Sequence, residues 1–250
     1  TMTVFMGGDV YMAEFNPMVY LQHFRVEEEV MIILNHSLTQ SGAVKGCTLI
    51  DICSGPTIYQ LLSACEFFKE ITASEYTDQN CQEMLKWLKN EAGAFDWTPV
   101  VQHVCQLEGD RYRTWAEKEG KIQRAIKCIL KCDVHKSNAL DSVVLPPADC
   151  LVTSLCFEAA CKDQSSYRAA PRDISSLQKP GGTWRKVEIW APVSTWLVHK
   201  SSPVCAAGFT IEKVEVLSRA DVAMHDINDF SGMYFIVALS RPRGSPSWHK

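Results

Sequence analysis

A nine-residue stretch, Leu49-Ile50-Asp51-Ile52-Cys53-Ser54-Gly55-Pro56-Thr57, constrains this chain more than any other. A short apolar run over 48–52 carries an acid and breaks into a turn of small residues. A helical pattern over 58–68 follows, so the segment reads as strand, tight turn and helix. Small turn residues let a ligand approach the backbone closely. A second strand pattern over 70–74 ends at Glu75. An acid at the tip of the second strand, about 20 residues beyond the turn, suits a ribose diol. The pattern points to a cofactor that contains a nucleoside.

Composition narrows the rest. The chain has 250 residues, 46% of them apolar and 22% charged, with a net charge of −4. This is the make-up of a globular protein with a full core. The basic residues are scattered and form no stripe, so no nucleic-acid partner is expected. No apolar stretch reaches the roughly 20 residues needed to cross a bilayer, and residues 1–11 carry no signal-peptide pattern. The expectation is a cytoplasmic protein with no membrane partner. Eleven cysteines, several inside apolar runs, read as reduced and mostly buried thiols. With no C-x-x-C pair and no histidine cluster, no metal site is expected.

Further elements follow from periodicity and caps. A helix is expected over 26–38, with three glutamates in its first turn. Others are expected after Thr77-Asp78 and from Pro99. Residues 109–120 read as a polar surface excursion, and 122–132 as a helix giving way to a strand that ends at Asp133. A strand is expected over 149–156, a helix over 165–177 kinked or shifted by Pro171, and a tight turn at 179–182. Strands over 184–190, 212–217 and 233–239 complete the series. Strands alternating with helices imply a mostly parallel sheet covered on both faces, and the last two strands an antiparallel edge. Ligands on such sheets sit at the carboxyl ends of the strands, where Asp51, Glu75, Asp133 and Leu155 fall. Arg185 and Lys186 are unusual residues for the interior of a buried strand.

The choice of cofactor turns on glycines. The dinucleotide fingerprint needs three, and Cys53, Gly55 and Ile58 supply one, which disfavours NAD. No phosphate loop ending in Gly-Lys-Ser/Thr is present. A nucleoside cofactor without phosphate needs fewer glycines, and S-adenosylmethionine fits that description.

The same residues carry a resemblance. Residues 49–65, LIDICSGPTIYQLLSAC, resemble the cofactor motif of the small-molecule N-methyltransferases acting on nicotinamide, indolethylamine and phenylethanolamine. The likeness continues through the segments 11–21, 75–80, 86–89, 95–99, 131–134, 146–150 and 179–182. Val134-His135 and 167–170 lean toward the indolethylamine branch. The resemblance implies a class I methyltransferase fold, a Rossmann-like seven-stranded sheet whose last strand is antiparallel. It also implies one methyltransferase domain over 1–250, with 1–45 as a cap segment and 241–250 as a loose tail.

The resemblance implies roles as well. Tyr20, helped by the turn residues Ser54 and Thr57 and by Tyr59, would reach the methionyl carboxylate, and Tyr11, Cys53 and Gly55 would also bind the cofactor. Glu75 would take the ribose hydroxyls with Asn80 beside it. Asp133 and the backbone of Val134 would read the adenine, and Ser154 would lie under the cofactor. Glu188 would orient the acceptor or take its proton, and Ser202 would contact the acceptor. The implied activity is methyl transfer to the nitrogen of a small amine or aromatic heterocycle by a monomer. A second reading stands beside it: a family member that binds cofactor without turnover. It is motivated by Cys53 in place of the family's glycine and by shortened segments at 24–49 and 188–208.

Overall fold

A computed structural model describes residues 13–23, 46–109, 114–190, 203–218 and 232–241. The helix expected over 26–38 lies outside them, as do Tyr11, Ser202 and nearly all of the proposed tail.

Seven strands form one sheet: β1 (Thr48–Ile52), β2 (Glu70–Glu75), β3 (Ile126–Lys131), β4 (Ala148–Ser154), β5 (Gln178–Trp190), β6 (Phe209–Ser218) and β7 (Gly232–Ser240). Their order is β3-β2-β1-β4-β5-β7-β6. The pairings from β3 across to β5 are parallel, and β7 runs antiparallel to both β5 and β6. The chain winds outward from β1 in one direction and from β4 in the other. The β1–β4 boundary is therefore the topological switch point, where the carboxyl ends of the strands open a crevice.

Side-chain alternation divides the buried residues between the two faces. Leu49, Ile71, Val152 and Val187 face a core built with Met84 and Trp87 of α2 (Asp78–Leu88), Val101 and Val104 of α3 (Thr98–Leu107), and Ile122 of α4 (Trp115–Ala125). Ile50, Ile52, Leu151, Trp184 and Tyr234 face a second core with Phe157 of α5 (Phe157–Ala160) and Tyr167, Ala170 and Ile174 of α6 (Gln164–Ser175). The first helix, α1 (Pro17–His23), buries Leu21 in the first core.

Four segments differ from the sequence expectation. Residues 58–68 form two short 3-10 turns, Tyr59–Leu61 and Ala64–Glu66, rather than one helix. The Gln60 side chain explains the first: its amide donates to the Ser54 and Thr57 carbonyls, and Leu61 N turns to Ile58 O instead. The polar stretch expected as an excursion enters α4 at Trp115, because Thr114 caps it by accepting from Glu117 N. Helix α6 starts at Gln164 and runs through Pro171, its start set by a capping box between Asp163 and Ser166. Residues 179–182 are a bulge within β5, where one residue of β4, Asp149, lies opposite four residues of β5. A side chain at Gly182 would meet the Asp149 carbonyl at 2.8 Å, so only glycine fits there.

That bulge brings Lys179 Nζ to 2.7 Å from Asp149 Oδ1. Asp149 Oδ2 accepts from Cys47 N, Thr48 N and Thr48 Oγ1 at 2.8–3.0 Å, which ties β1, β4 and β5 together at their amino ends. Burial pushes this carboxyl up, but Lys179 and the Thr48 and Cys47 donors outweigh it and hold it at about 2. A depressed carboxyl stabilises the fold above its unfolded value and loses that contribution as pH falls toward 2. Asp149→Asn is expected to remove about 2 kcal/mol of stability at pH 7 and to flatten the acid limb between pH 4 and 2, read from denaturant midpoints against pH.

Candidate functional site

The turn after β1 holds its shape through buried polar bonds. Asp51 Oδ2 accepts from Ser54 Oγ at 2.6 Å and from Gln60 Nε2 at 2.8 Å. Thr57 Oγ1 donates to Ser54 O at 2.8 Å, and Ser54 N donates to Ser74 O at 2.8 Å. The hydroxyls of Ser54 and Thr57 thus brace the turn from inside. Asp51 is 1% exposed, and its Oδ1 makes no hydrogen bond. Burial raises this carboxyl to about 7, the nearby Glu75 adding to the shift while the Ser54 and Gln60 bonds oppose it.

Glu75 closes the turn from the neighbouring strand. Its Oε2 accepts from Gly55 N at 2.9 Å. Its Oε1 accepts from Thr77 N at 3.0 Å, Thr77 Oγ1 at 3.3 Å and Asn80 Nδ2 at 2.9 Å. A carboxylate oxygen has room for about two good donors, so Oε1 is filled and Oε2 keeps capacity for one more. A ribose edge would meet Glu75 through Oε2. Cys132 N donates to Glu75 O at 2.9 Å and brings the end of β3 alongside. There Asp133 Oδ1 accepts from His135 N at 3.0 Å, and Val134 is buried.

On the other side of the turn, Tyr59 Oη and Ser154 Oγ lie 3.0 Å apart across the switch point. Tyr20, 39% exposed, lies within electrostatic reach of the Tyr59 phenol. Burial pushes the Tyr59 phenol well up, so it stays protonated. Cys53, Ser54, Gly55, Thr57, Tyr59, Glu75, Asn80, Asp133, Val134 and Ser154 thus gather at the carboxyl ends of β1 to β4.

Two non-glycine residues in this crevice adopt left-handed backbone angles. Cys53 has φ 59° and directly follows β1; Leu155 has φ 53° and directly follows β4. Both flank the switch point, where backbone strain concentrates at sites that handle ligands. The Cys53 thiol is half-buried and packs with the second core. It meets the thiols of Cys132 and Cys156; the Cys132 contact lowers it, but the Cys156 contact and burial outweigh this and raise it well above an ordinary thiol.

The residues fit S-adenosylmethionine. A side chain at Gly55 would meet nothing closer than Thr57 Oγ1 at 3.9 Å, so the space over the turn is open. The acceptors Glu75 and Asp133 suit hydroxyl and amino donors, and only one glycine amide at the turn faces a carboxylate, unlike a phosphate cradle.

Glu188 has a different setting. It is 1% exposed on the face covered by α5 and α6, and its Oε2 accepts from the Tyr167 and Tyr234 hydroxyls. Lys186 Nζ lies 2.9 Å from its Oε1. Burial and the Glu188 charge push both phenols far up. Sequence reasoning missed Gln60, Lys186, Tyr167 and Tyr234. The signal for Lys186 was present, since a lysine two residues before Glu188 on one strand shares its face.

Two expected outcomes follow from the turn. Because Cys53 sits at φ 59° with its thiol turned to the core, Cys53→Gly is expected to raise stability by about 1 kcal/mol while leaving S-adenosylhomocysteine affinity unchanged, as read by denaturation and calorimetric titration. A raised carboxyl contributes stability that is full below the unfolded value and is lost as pH rises through about 7 for Asp51. Asp51→Asn is expected to flatten the decline between pH 4 and 7 by roughly 2–4 kcal/mol.

Comparison with known proteins agrees with this geometry. The model of the NNMT/PNMT/TEMT family matches residues 3–240. Nicotinamide N-methyltransferase of Homo sapiens is 43% identical over 263 residues, covering 95% of this chain and 98% of its own. The Sus scrofa enzyme of that name is 46% identical over 239 residues, covering 86% and 90%. Indolethylamine N-methyltransferase of Mus musculus is 50% identical over 189 residues, covering 72% and 71%. Among solved structures, magnesium protoporphyrin IX methyltransferase from Synechocystis with bound S-adenosylmethionine shares the fold, with TM-score 0.59 at 10% identity over 96% of this chain and 100% of its own. The turn after β1, the acid at the tip of β2 and these relatives place the chain in the NNMT/PNMT/TEMT family, and it is an S-adenosylmethionine-dependent methyltransferase.

Proposed function

We propose that the protein methylates the nitrogen of a small acceptor, an amine or an aromatic nitrogen heterocycle. The supporting observation is the turn at the β1–β4 switch point, with one glycine amide held by Glu75 at 2.9 Å and space above Gly55. Relatives that methylate nicotinamide and indolethylamine, by their names, favour such acceptors.

S-adenosylmethionine, when bound, supplies a methyl group already activated on a sulfonium. The chain's own residues therefore act by binding, alignment and exclusion of water. Glu75 receives a ribose hydroxyl at Oε2, with Asn80 fixing the carboxylate from behind. Asp133 and Val134 hold the adenine end. Tyr20 and Tyr59 wall the methionine end, and Ser154 orients the Tyr59 hydroxyl beneath it. Glu188 is assigned to the acceptor end; Tyr11 and Ser202, assigned to the cofactor and the acceptor, lie outside the described residues.

The reading of binding without turnover is motivated by Cys53. Its left-handed angle matches what a glycine would adopt, and its thiol contacts Cys132 and Cys156, so the methionine side of the turn stays open. That supports turnover. S-adenosylhomocysteine is expected to raise the melting temperature, because it binds the folded state, and NAD is not. Glu75→Ala is expected to weaken S-adenosylhomocysteine binding by about 1.5–3 kcal/mol, the scale of bonds to a charged group. A screen of amines and pyridines for methyl transfer tests the acceptor class; transfer to carboxyl or hydroxyl acceptors alone overturns the reading.

A further inference from the structure

Lys186 and Glu188 are both 1% exposed, on the same face of β5. Besides its contact with Glu188, Lys186 Nζ donates to Tyr167 Oη at 2.7 Å. It also lies 4.8 Å from the ring centre of Phe157, 4.6 Å from that of Tyr167 and 5.7 Å from that of Trp184. Three ring faces, a phenol oxygen and a carboxylate are the elements that recognise an alkylammonium ion. Here the chain's own lysine fills that site.

This network adjoins the cofactor end of the crevice. Val187, between the two charged residues, pairs with Ser154, and its carbonyl accepts from Leu155 N at 3.0 Å. Glu158, on the first turn of α5, bears electrostatically on Tyr59 at one end and on Tyr234 at the other. Glu188 therefore stands next to the strand ends that hold the candidate cofactor residues.

We propose that Lys186 is a specificity-determining positioning residue that cancels the charge of Glu188, so that the acceptor end selects a neutral aromatic nitrogen heterocycle over a protonated amine. The proposal rests on the methyl-transfer reading above. A protonated amine brought to this end meets a carboxylate already engaged by one ammonium and two phenols, and it meets the like charge of Lys186. It must also shed a proton before its nitrogen can attack the methyl carbon, and a carboxylate already engaged by two phenols and one ammonium is poorly placed to take it. A pyridine-type nitrogen keeps its lone pair at neutral pH and needs no base.

The test compares nicotinamide, a neutral heterocycle, with tryptamine, a protonated amine. The wild type is expected to have the higher kcat/KM for nicotinamide. Lys186→Met leaves the Glu188 charge uncompensated and is expected to raise the tryptamine-to-nicotinamide ratio of kcat/KM about tenfold or more, while Lys186→Arg keeps the wild-type ratio. Should Lys186→Met not fold, the double variant Lys186→Met with Glu188→Gln removes both charges and is expected to keep the wild-type preference. A wild type that prefers tryptamine overturns the proposal. So does a Lys186→Met variant in which both rates fall alike, or a double variant that swings to tryptamine. If S-adenosylhomocysteine binds and no acceptor is turned over, the methyl-transfer reading fails. Thermal shifts by nicotinamide and tryptamine on the S-adenosylhomocysteine complex still report charge selection, and equal shifts in wild type and Lys186→Met overturn it.

Discussion

The buried carboxylate of Glu75 is the interaction on which the site depends. It accepts from the turn after β1 through Gly55 N, and from the start of α2 through Thr77 N and Asn80 Nδ2. Its own carbonyl accepts from Cys132 N at the end of β3. One residue thus ties together three strand ends and a helix start. At 3% exposure, its charge would be costly without these donors, and the donors would be costly without the charge. Burial raises the neighbouring Asp51, the Glu75 charge adding to it, and Asp51 is held to the turn by Ser54 and Gln60.

Much of the architecture was legible because it rests on local signals. Apolar runs ending in acids marked β1 and β2, and Thr77 marked the start of α2. Two consecutive late strand patterns in the sequence, 212–217 and 233–239, marked the antiparallel pair. The illegible parts are those where a side chain competes with the backbone or where a distant partner decides. Gln60 takes carbonyls that a continuous helix over 58–68 would have used. The bulge at 179–182 places Lys179 against Asp149 on the neighbouring strand. Neither competition has a local pattern in the sequence.

The site shows the same division. The cluster at the carboxyl ends of β1 to β4 was legible in part: strand patterns put Asp51, Glu75, Asp133 and Leu155 there, while Tyr59, Asn80, Val134 and Ser154 followed only from the resemblance. The setting of Glu188 was not. Its partners Tyr167 and Tyr234 come from α6 and β7, which are far away in the chain and meet only when β7 inserts between β5 and β6. The charged residues of β5 looked out of place in a buried strand. The structure buries Arg185 and Lys186 on opposite faces, each at 1% exposure, and Lys186 beside a carboxylate.

The two left-handed residues show how such a crevice is kept rigid. Cys53 and Leu155 each carry a β-carbon where glycine would be easier, at a cost of about 1–3 kcal/mol apiece. Neither can relax alone. Ser54 N, next to Cys53, is held by Ser74 O, and Leu155 N is held by Val187 O. Relaxing either angle would break a hydrogen bond between neighbouring strand ends and expose part of the second core, which contains Cys53. The sheet therefore holds both turns in the form that leaves the crevice open. A protein that aligns an already activated methyl group contributes mainly through fixed geometry, and strained turns pinned by a parallel sheet supply that geometry before any ligand arrives.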